Sequence, residues 1–236
     1  MLNGSGKLAA VAASALMLAT PLAWAQKAGN LIGSFGVAYI MPNESAGPLN
    51  SVGPAAPLFN AATAGASVNI DPVATAAFSA LYMITDHWAA EFTFGVPPKF
   101  TVDVNLRSGS HPGAATAKES TPALVGKYLF LGPADRWRPY LGLGVTYASF
   151  SSVSANKSDP LVNSLAGSSA SLSSSWAPVY NAGVIYNIDD RWSVNASLSY
   201  IPLKTDATFV GSGTTTKGTM TLNPVDLVVK VGYKFF

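Results

Sequence analysis

Chemistry in this chain would have to come from few groups: two histidines, twelve carboxylates, fourteen lysines and arginines, and no cysteine. The lack of thiols removes a thiolate nucleophile, a thiolate zinc site and a disulfide scaffold. His87 falls in a short turn and His111 in a long polar segment, so the two lack the ligand spacing of a metal site. A hydrolytic arrangement would need His111 beside a serine and a carboxylate such as Glu119, and serines are so abundant there that sequence proximity means little. No catalytic residues, metal ligands or cofactor site are expected, and the chain does not read as an enzyme. More telling are Glu91, Lys127, Arg138 and Lys230, with Asn187 and Asn195, each of which stands at an alternate position inside an apolar pattern.

Those patterns define the elements that must carry them. In the last segment Val225, Leu227, Val229, Val231, Tyr233 and Phe235 alternate with Asp226, Val228, Lys230, Gly232 and Lys234. A strand here has one wholly apolar face and one face bearing charges. Similar two-faced runs occupy residues 30–41, 73–84, 88–96, 122–131, 138–148, 176–188 and 192–200. In the third, Trp88, Ala90, Phe92, Phe94 and Val96 oppose Glu91, Thr93 and Gly95; in the seventh, Trp192, Val194, Ala196, Leu198 and Tyr200 oppose Ser193, Asn195, Ser197 and Ser199. Connections alternate in length. Residues 42–71, 103–120, 151–174 and 208–219 are long, small-residue-rich segments expected to be irregular loops, whereas 85–87, 132–136 and 189–191 are tight turns.

Only 11% of the residues are charged, against about a quarter in soluble domains. Yet beyond residue 25 no segment reaches the roughly 18 consecutive apolar residues of a membrane helix. A strand barrel reconciles the two, because its apolar surface is dispersed over alternate positions. The first residues supply an address: Lys7, an apolar run over 8–19, and Ala23-Trp24-Ala25 ahead of Gln26 read as a signal peptide over residues 1–25. The net charge of +2 includes Lys7, which argues against a nucleic-acid partner. The expected fold is all-β, a single eight-stranded antiparallel transmembrane β-barrel of outer-membrane type over residues 26–236. Its short turns would face the periplasm and its long loops the exterior, with Trp88, Trp137, Tyr186, Trp192, Tyr233 and Phe235 in an interfacial girdle. A secreted soluble barrel of lipocalin type is the alternative on pattern alone.

Several strings resemble the outer-membrane protein W (OmpW) family: Tyr82-Met83-Ile84-Thr85-Asp86 with Glu91, Arg138-Pro139-Tyr140-Leu141-Gly142-Leu143-Gly144 with Tyr147, and Ser175-Trp176 with Gly183-Val184 and Tyr186. They continue with Trp192-Ser193-Val194-Asn195-Ala196-Ser197 and Tyr200, then Asn223-Pro224, then Gly232-Tyr233-Lys234-Phe235. The strings run in one order along nearly the whole chain. Trp176-Ala177-Pro178 and Tyr200-Ile201-Pro202-Leu203-Lys204-Thr205-Asp206 are most similar to the branch linked to alkane import. The resemblance implies passage of small hydrophobic molecules through the outer half of the barrel, with lateral release into the membrane. One departure is Phe236, since family members commonly stop at the residue matching Phe235.

An eight-stranded barrel is nearly filled by its own side chains, so the expected lumen is graded rather than open. Glu91, Lys127, Arg138, Asn187, Asn195 and Lys230 are expected to form a polar barrier toward the periplasm. Thr93, Gly95, Pro97, Val179, Ser199 and Ile201 would line a solute path in the outer half. For any one of the charged residues, pairing that simply fills a narrow core is the competing reading. Proline cannot donate to a ladder, and Pro97, Pro178 and Pro202 lie close enough to strand interiors to let the wall part. Pro72, Pro122 and Pro224 are expected only to end strands. The expected partners are outer-membrane lipid, small hydrophobic solutes and, through the C-terminal strand, the barrel-assembly machinery, with the barrel monomeric. A surface or adhesion barrel whose external loops bind partners is the alternative function.

Overall fold

The computed structural model describes residues 26–236, so the expected leader over residues 1–25 lies outside the described residues. The chain first forms β1 (Leu31–Met41), β2 (Ser45–Ala46), β3 (Asn50–Val52), α1 (Ala56–Thr63), β4 (Ser67–Ile70), β5 (Val73–Met83) and β6 (Trp88–Gly95). It continues with β7 (Lys99–Leu106), β8 (Gly109–Ser120), β9 (Ala123–Leu129), β10 (Trp137–Ala155), α2 (Pro160–Ala166) and β11 (Ser169–Leu172). Last come β12 (Ser175–Asn187), β13 (Trp192–Tyr200), β14 (Lys204–Gly211), β15 (Thr214–Thr221) and β16 (Val225–Lys234).

Eight of these strands close into an antiparallel barrel in the order β1, β5, β6, β9, β10, β12, β13, β16, with β16 pairing back onto β1. Period-two alternation fixes which side each residue faces. Phe35, Val37, Tyr39, Phe92, Leu141, Leu143 and Leu198 point outward and are exposed, as a lipid-facing band requires. Their neighbours Ala38, Ala77, Ser79, Glu91, Asn181, Asn195 and Lys230 are buried in the lumen. Short turns join β5 to β6, β9 to β10 and β12 to β13. Beside them aromatic rings meet across strands, with Trp88 on Tyr128, Trp137 on Tyr186 and Trp192 on Tyr233 at centroid separations of 5.1, 4.6 and 4.9 Å. That girdle marks the periplasmic interface. Phe236 has a role in closure: its carbonyl accepts the Leu31 amide at 3.0 Å, next to the bond from the Phe235 amide to the Leu31 carbonyl.

The long connections correct the sequence reading, for they are largely strand. Segment 103–120 belongs to the β7–β8 hairpin, whose β8 joins the outward extension of β10 through Ser149 opposite Ser120, and β4 adds to β7. Segments 42–71, 151–174 and 208–219 supply β2, β3, β11, β14 and β15 to a second external sheet, together with the two short helices. Small and polar residues suit these strands because only one face of each is covered. On β7 the alternate residues Phe100, Val102, Val104 and Leu106 all face one apolar chamber, which is the driving force for ordering this segment.

Candidate functional site

Deep in the barrel the three charges converge. The Glu91 carboxylate bridges Lys127 at 2.5 Å and Lys230 at 2.7 Å. All three residues are buried, and Lys230 also donates to Ser79 Oγ at 2.8 Å. Lys127 Nζ lies 4.1 Å from the Tyr140 ring centroid, and the Tyr140 hydroxyl donates to Asn195 Oδ1 at 2.9 Å. Tyr140 lies over β12 to reach Asn195 on β13 because Gly183 opposes it: a Cβ there would stand 2.5 Å from the hydroxyl oxygen. A buried charge is tolerated only when paired and hydrogen-bonded, and here one carboxylate serves two ammoniums within a layer of further polar contacts.

A second polar layer closes the periplasmic mouth. The Arg138 guanidinium donates to the backbone carbonyls of Gln26, Asp86 and Leu131. The Gln26 amide donates to Asn187 Oδ1 at 2.9 Å, and Asn187 Nδ2 to the Asp135 carbonyl at 3.0 Å. Arg138 therefore braces the periplasmic turns rather than joining the carboxylate cluster.

Outward of Glu91 the barrel opens into a cavity of about 100 Å³ lined by Thr93, Gly95, Val179, Asn181, Ser199, Ile201, Asp226 and Lys230. Above it lies an apolar chamber of about 150 Å³ between the two external sheets, walled by Phe100, Val102, Val104, Phe150, Leu165 and Phe209. A narrow neck lined by Ile40, Pro98, Glu119, Thr121, Ile201, Pro224 and Asp226 lies between them, sharing Ile40 and Glu119 with both. Glu119 lies on β8, outside the membrane-spanning strands, and burial together with the nearby Asp226 carboxylate pushes its carboxyl up to about 7.

The wall is interrupted twice at the outer rim. Pairing of β6 with β9 stops at Thr93 opposite Ala123, leaving Phe94 and Gly95 bonded only toward β5. Pairing of β12 with β13 stops at Tyr180 opposite Tyr200, although β12 continues outward to Ser175. Phe94 and Val96, both exposed, line the same cavity as the buried Glu91 beside the first break.

A profile of the OmpW family matches residues 27–235. The chain belongs to the OmpW family. It is 29% identical over 230 residues to outer membrane protein W of Escherichia coli, covering 97% of this chain and 99% of that one. It is 28% identical over 180 residues to outer membrane protein AlkL of Ectopseudomonas oleovorans, covering 76% and 71%. The crystal structure of OprG from Pseudomonas aeruginosa has a similar fold, with a TM-score of 0.78 at 24% identity over 90% of this chain and 98% of that one. This OmpW-family barrel is thus an integral protein of the bacterial outer membrane.

Within it, the residues expected to form one barrier divide between two layers. Glu91, Lys127, Lys230 and Asn195 gather at the Tyr140 level, while Arg138 and Asn187 sit at the periplasmic mouth. Of the residues expected on the solute path, Pro97 does not line the cavity; Pro98 does. The alternation holds through Val96, whose amide bonds to the Ala76 carbonyl in register with β5, and is lost at Pro97 and Pro98, which have no amide to continue the ladder. Pro97 borders the first wall break and is exposed. Pro178, opposite Val145, and Pro202 flank the second break, where the outward Tyr180 and Tyr200 and the inward Asn181 and Ser199 line an open surface pocket. Sequence reasoning missed Tyr140, Ser79, Gln26 and the Glu119–Asp226 neck. Tyr140 was legible, being one step of two from Arg138 on the inward face; the others depend on pairings between distant segments.

His111 does find a serine and a carboxylate, though not Glu119. Its Nδ1 lies 2.6 Å from Asp159 Oδ2 and its Nε2 3.3 Å from Ser108 Oγ. Asp159 also caps α2 by accepting from the Leu161 and Val162 amides. The bond to His111, reinforced by these amides, holds the Asp159 carboxyl below its usual range.

Proposed function

We propose that this barrel assists passive uptake of small hydrophobic molecules, which pass from the external chamber through the neck into the outer lumen and leave sideways into the membrane. The observation that carries this reading is the lumen cavity walled by both Glu91 and the outward-facing Phe94 and Val96. A solute descending from the apolar chamber meets the Glu91–Lys127–Lys230 layer, whose charges offer it no favourable burial. The way out in this reading is the break between β6 and β9, bordered by Pro97 and Pro98. The resemblance of Trp176-Ala177-Pro178 and 200–206 to the alkane-import branch supports the same solute class. In this reading Ser108, His111 and Asp159 form a structural clasp between the β7–β8 hairpin and α2, with no hydrolytic role. Labelling of Ser108 by a fluorophosphonate would contradict that assignment. We further propose that β16 is the strand offered to the assembly machinery and that the barrel acts as a monomer.

The test is uptake of a hydrophobic probe by cells lacking the protein, complemented with wild type or with a Gly95→Cys/Thr121→Cys pair. The chain has no cysteine of its own, so a short thiol-specific cross-linker can tie the β6–β9 break shut. Uptake is expected to fall to the deletion level on cross-linking and to return when a cleavable linker is reduced. Pro97→Ala is expected to slow uptake more than Pro178→Ala or Pro202→Ala. Unchanged uptake on deletion would leave the barrel as an anchor for its external loops.

A further inference from the structure

The polar groups at the bottom of the chamber have an unusual sign. Among the described residues, Asp226 Oδ1 and Asn181 Oδ1 are buried atoms without a hydrogen-bond partner, and both residues line the outer lumen cavity. Asn181 Nδ2 is engaged, donating to the Leu198 carbonyl at 3.1 Å and to Ser199 Oγ at 3.0 Å, which fixes the amide oxygen as the free atom. Ser199 lies opposite both Asn181 and Asp226 in adjoining ladders, so the three residues form one row across β12, β13 and β16. Glu119 faces the same neck from the external sheet. No lysine or arginine nitrogen lies within 4.0 Å of either neck carboxylate among the described residues, because Lys127 and Lys230 are committed to Glu91.

The two fully buried atoms left unpaired in this row are therefore both acceptors, while the Thr121 hydroxyl also borders the neck. Unsatisfied buried acceptors are costly, and convergent polar groups at the end of an apolar pocket are what orient a ligand. The charges point the same way. Glu91, Glu119 and Asp226 face Lys127 and Lys230, three carboxylates against two ammoniums, one positive charge or proton short of neutrality.

We propose that the neck is a head-group site, in which Asp226, Asn181 and Glu119 accept hydrogen bonds from a primary ammonium or hydroxyl whose alkyl chain lies in the chamber. This inference rests on the chamber being the solute path and adds its selectivity: short amphiphiles with a donor head are held at the neck, whereas carboxylates are repelled by it.

The experiment uses the full barrel in lipid nanodiscs, with empty nanodiscs as the blank. Binding of hexylamine, 1-hexanol, hexanoate and the donor-less 1-methoxypentane is measured by ligand-observed NMR. Hexylamine and 1-hexanol are expected to bind at least about tenfold more tightly than 1-methoxypentane, the worth of one charge-assisted or buried hydrogen bond, with hexanoate weakest. In Asp226→Leu with Glu119→Gln the preference is expected to shrink to about twofold while 1-methoxypentane binds as before. Equal binding of all four by wild type, or a preference that survives in the variant, overturns the head-group site alone. Absence of binding by every probe overturns the solute path as well. If the variant does not assemble, the wild-type ranking of 1-hexanol against 1-methoxypentane decides.

Discussion

Replacing Glu91 by glutamine keeps the side-chain shape and removes the one charge that two buried ammoniums share. Breaking a buried pair by neutralising one partner costs about 3–5 kcal/mol, because the surviving charge stays desolvated. Here two charges survive, which pushes the cost up. Lys230 keeps its bond to Ser79 at 2.8 Å and Lys127 its position 4.1 Å from the Tyr140 ring, and the glutamine oxygen still accepts, which pulls it down. The expected loss is about 3 kcal/mol, read as a lower urea midpoint at unchanged slope for the barrel refolded in lipid vesicles. Adding Lys127→Met and Lys230→Met to Glu91→Gln should recover most of that loss, since apolar side chains of similar volume replace buried ionic clusters at little cost. A loss below about 1 kcal/mol for the single change, or a triple variant less stable than the single one, would refute the reasoning.

Three other outcomes can be checked in the same preparation. Gly183→Ala places a Cβ 2.5 Å from the Tyr140 hydroxyl oxygen and 2.6 Å from the Ala196 carbonyl oxygen. It should destabilise by about 2 kcal/mol or more, whereas Gly126→Ala, whose Cβ would stand 3.7 Å from the Leu143 carbonyl oxygen, should stay within about 0.5 kcal/mol. Glu119 is raised to about 7 by burial and Asp226, so between its unfolded value near 4.5 and 7 the folded state holds the extra proton. Stability should therefore fall as pH rises through that window, by at most about 3 kcal/mol, and Glu119→Gln should flatten the slope. The Asp159 carboxyl is held low by His111 and the α2 amides, so its contribution is present at neutral pH and lost only as pH drops below the usual carboxylate range. Asp159→Ala should speed amide exchange across α2 at neutral pH, leaving exchange in β1 and β16 as in wild type.

The barrel itself was legible because a period of two is a one-dimensional signal. Each of the eight spanning strands carries it, and it correctly sends Phe35 to lipid and Lys230 inward. The external sheets were hidden by composition: Ala114, Ala117, Ser169 and the run of threonines in β15 look like loop, and their strand pairing is decided by partners elsewhere. Phe100, Val102, Val104 and Leu106 did alternate visibly, and that was the missed sign of order in the third connection. The charged layer was foreseen as a set of residues, but which of them meet was not, since Lys230 reaches Glu91 from 139 positions away. The neck lies further beyond reach, because Glu119 and Asp226 come together only once β8 folds over the barrel mouth. Pro97 shows a different limit, where alternation stops being informative as soon as a strand ends.

The hydrogen bonds between Leu31 and the last two residues also bear on how the molecule comes to be folded. The contact joining the first spanning strand to the last is the most distant in sequence that the barrel makes, with Ile32 opposite Lys234. Its formation carries the largest loop-closure entropy of any strand pair. Until it forms, the molecule is an open sheet with β1 and β16 as raw edges able to pair with other chains. A synthesis arrested before β16 therefore leaves not a slightly smaller barrel but a sticky ribbon, and the final strand acts as the commitment step for the whole molecule.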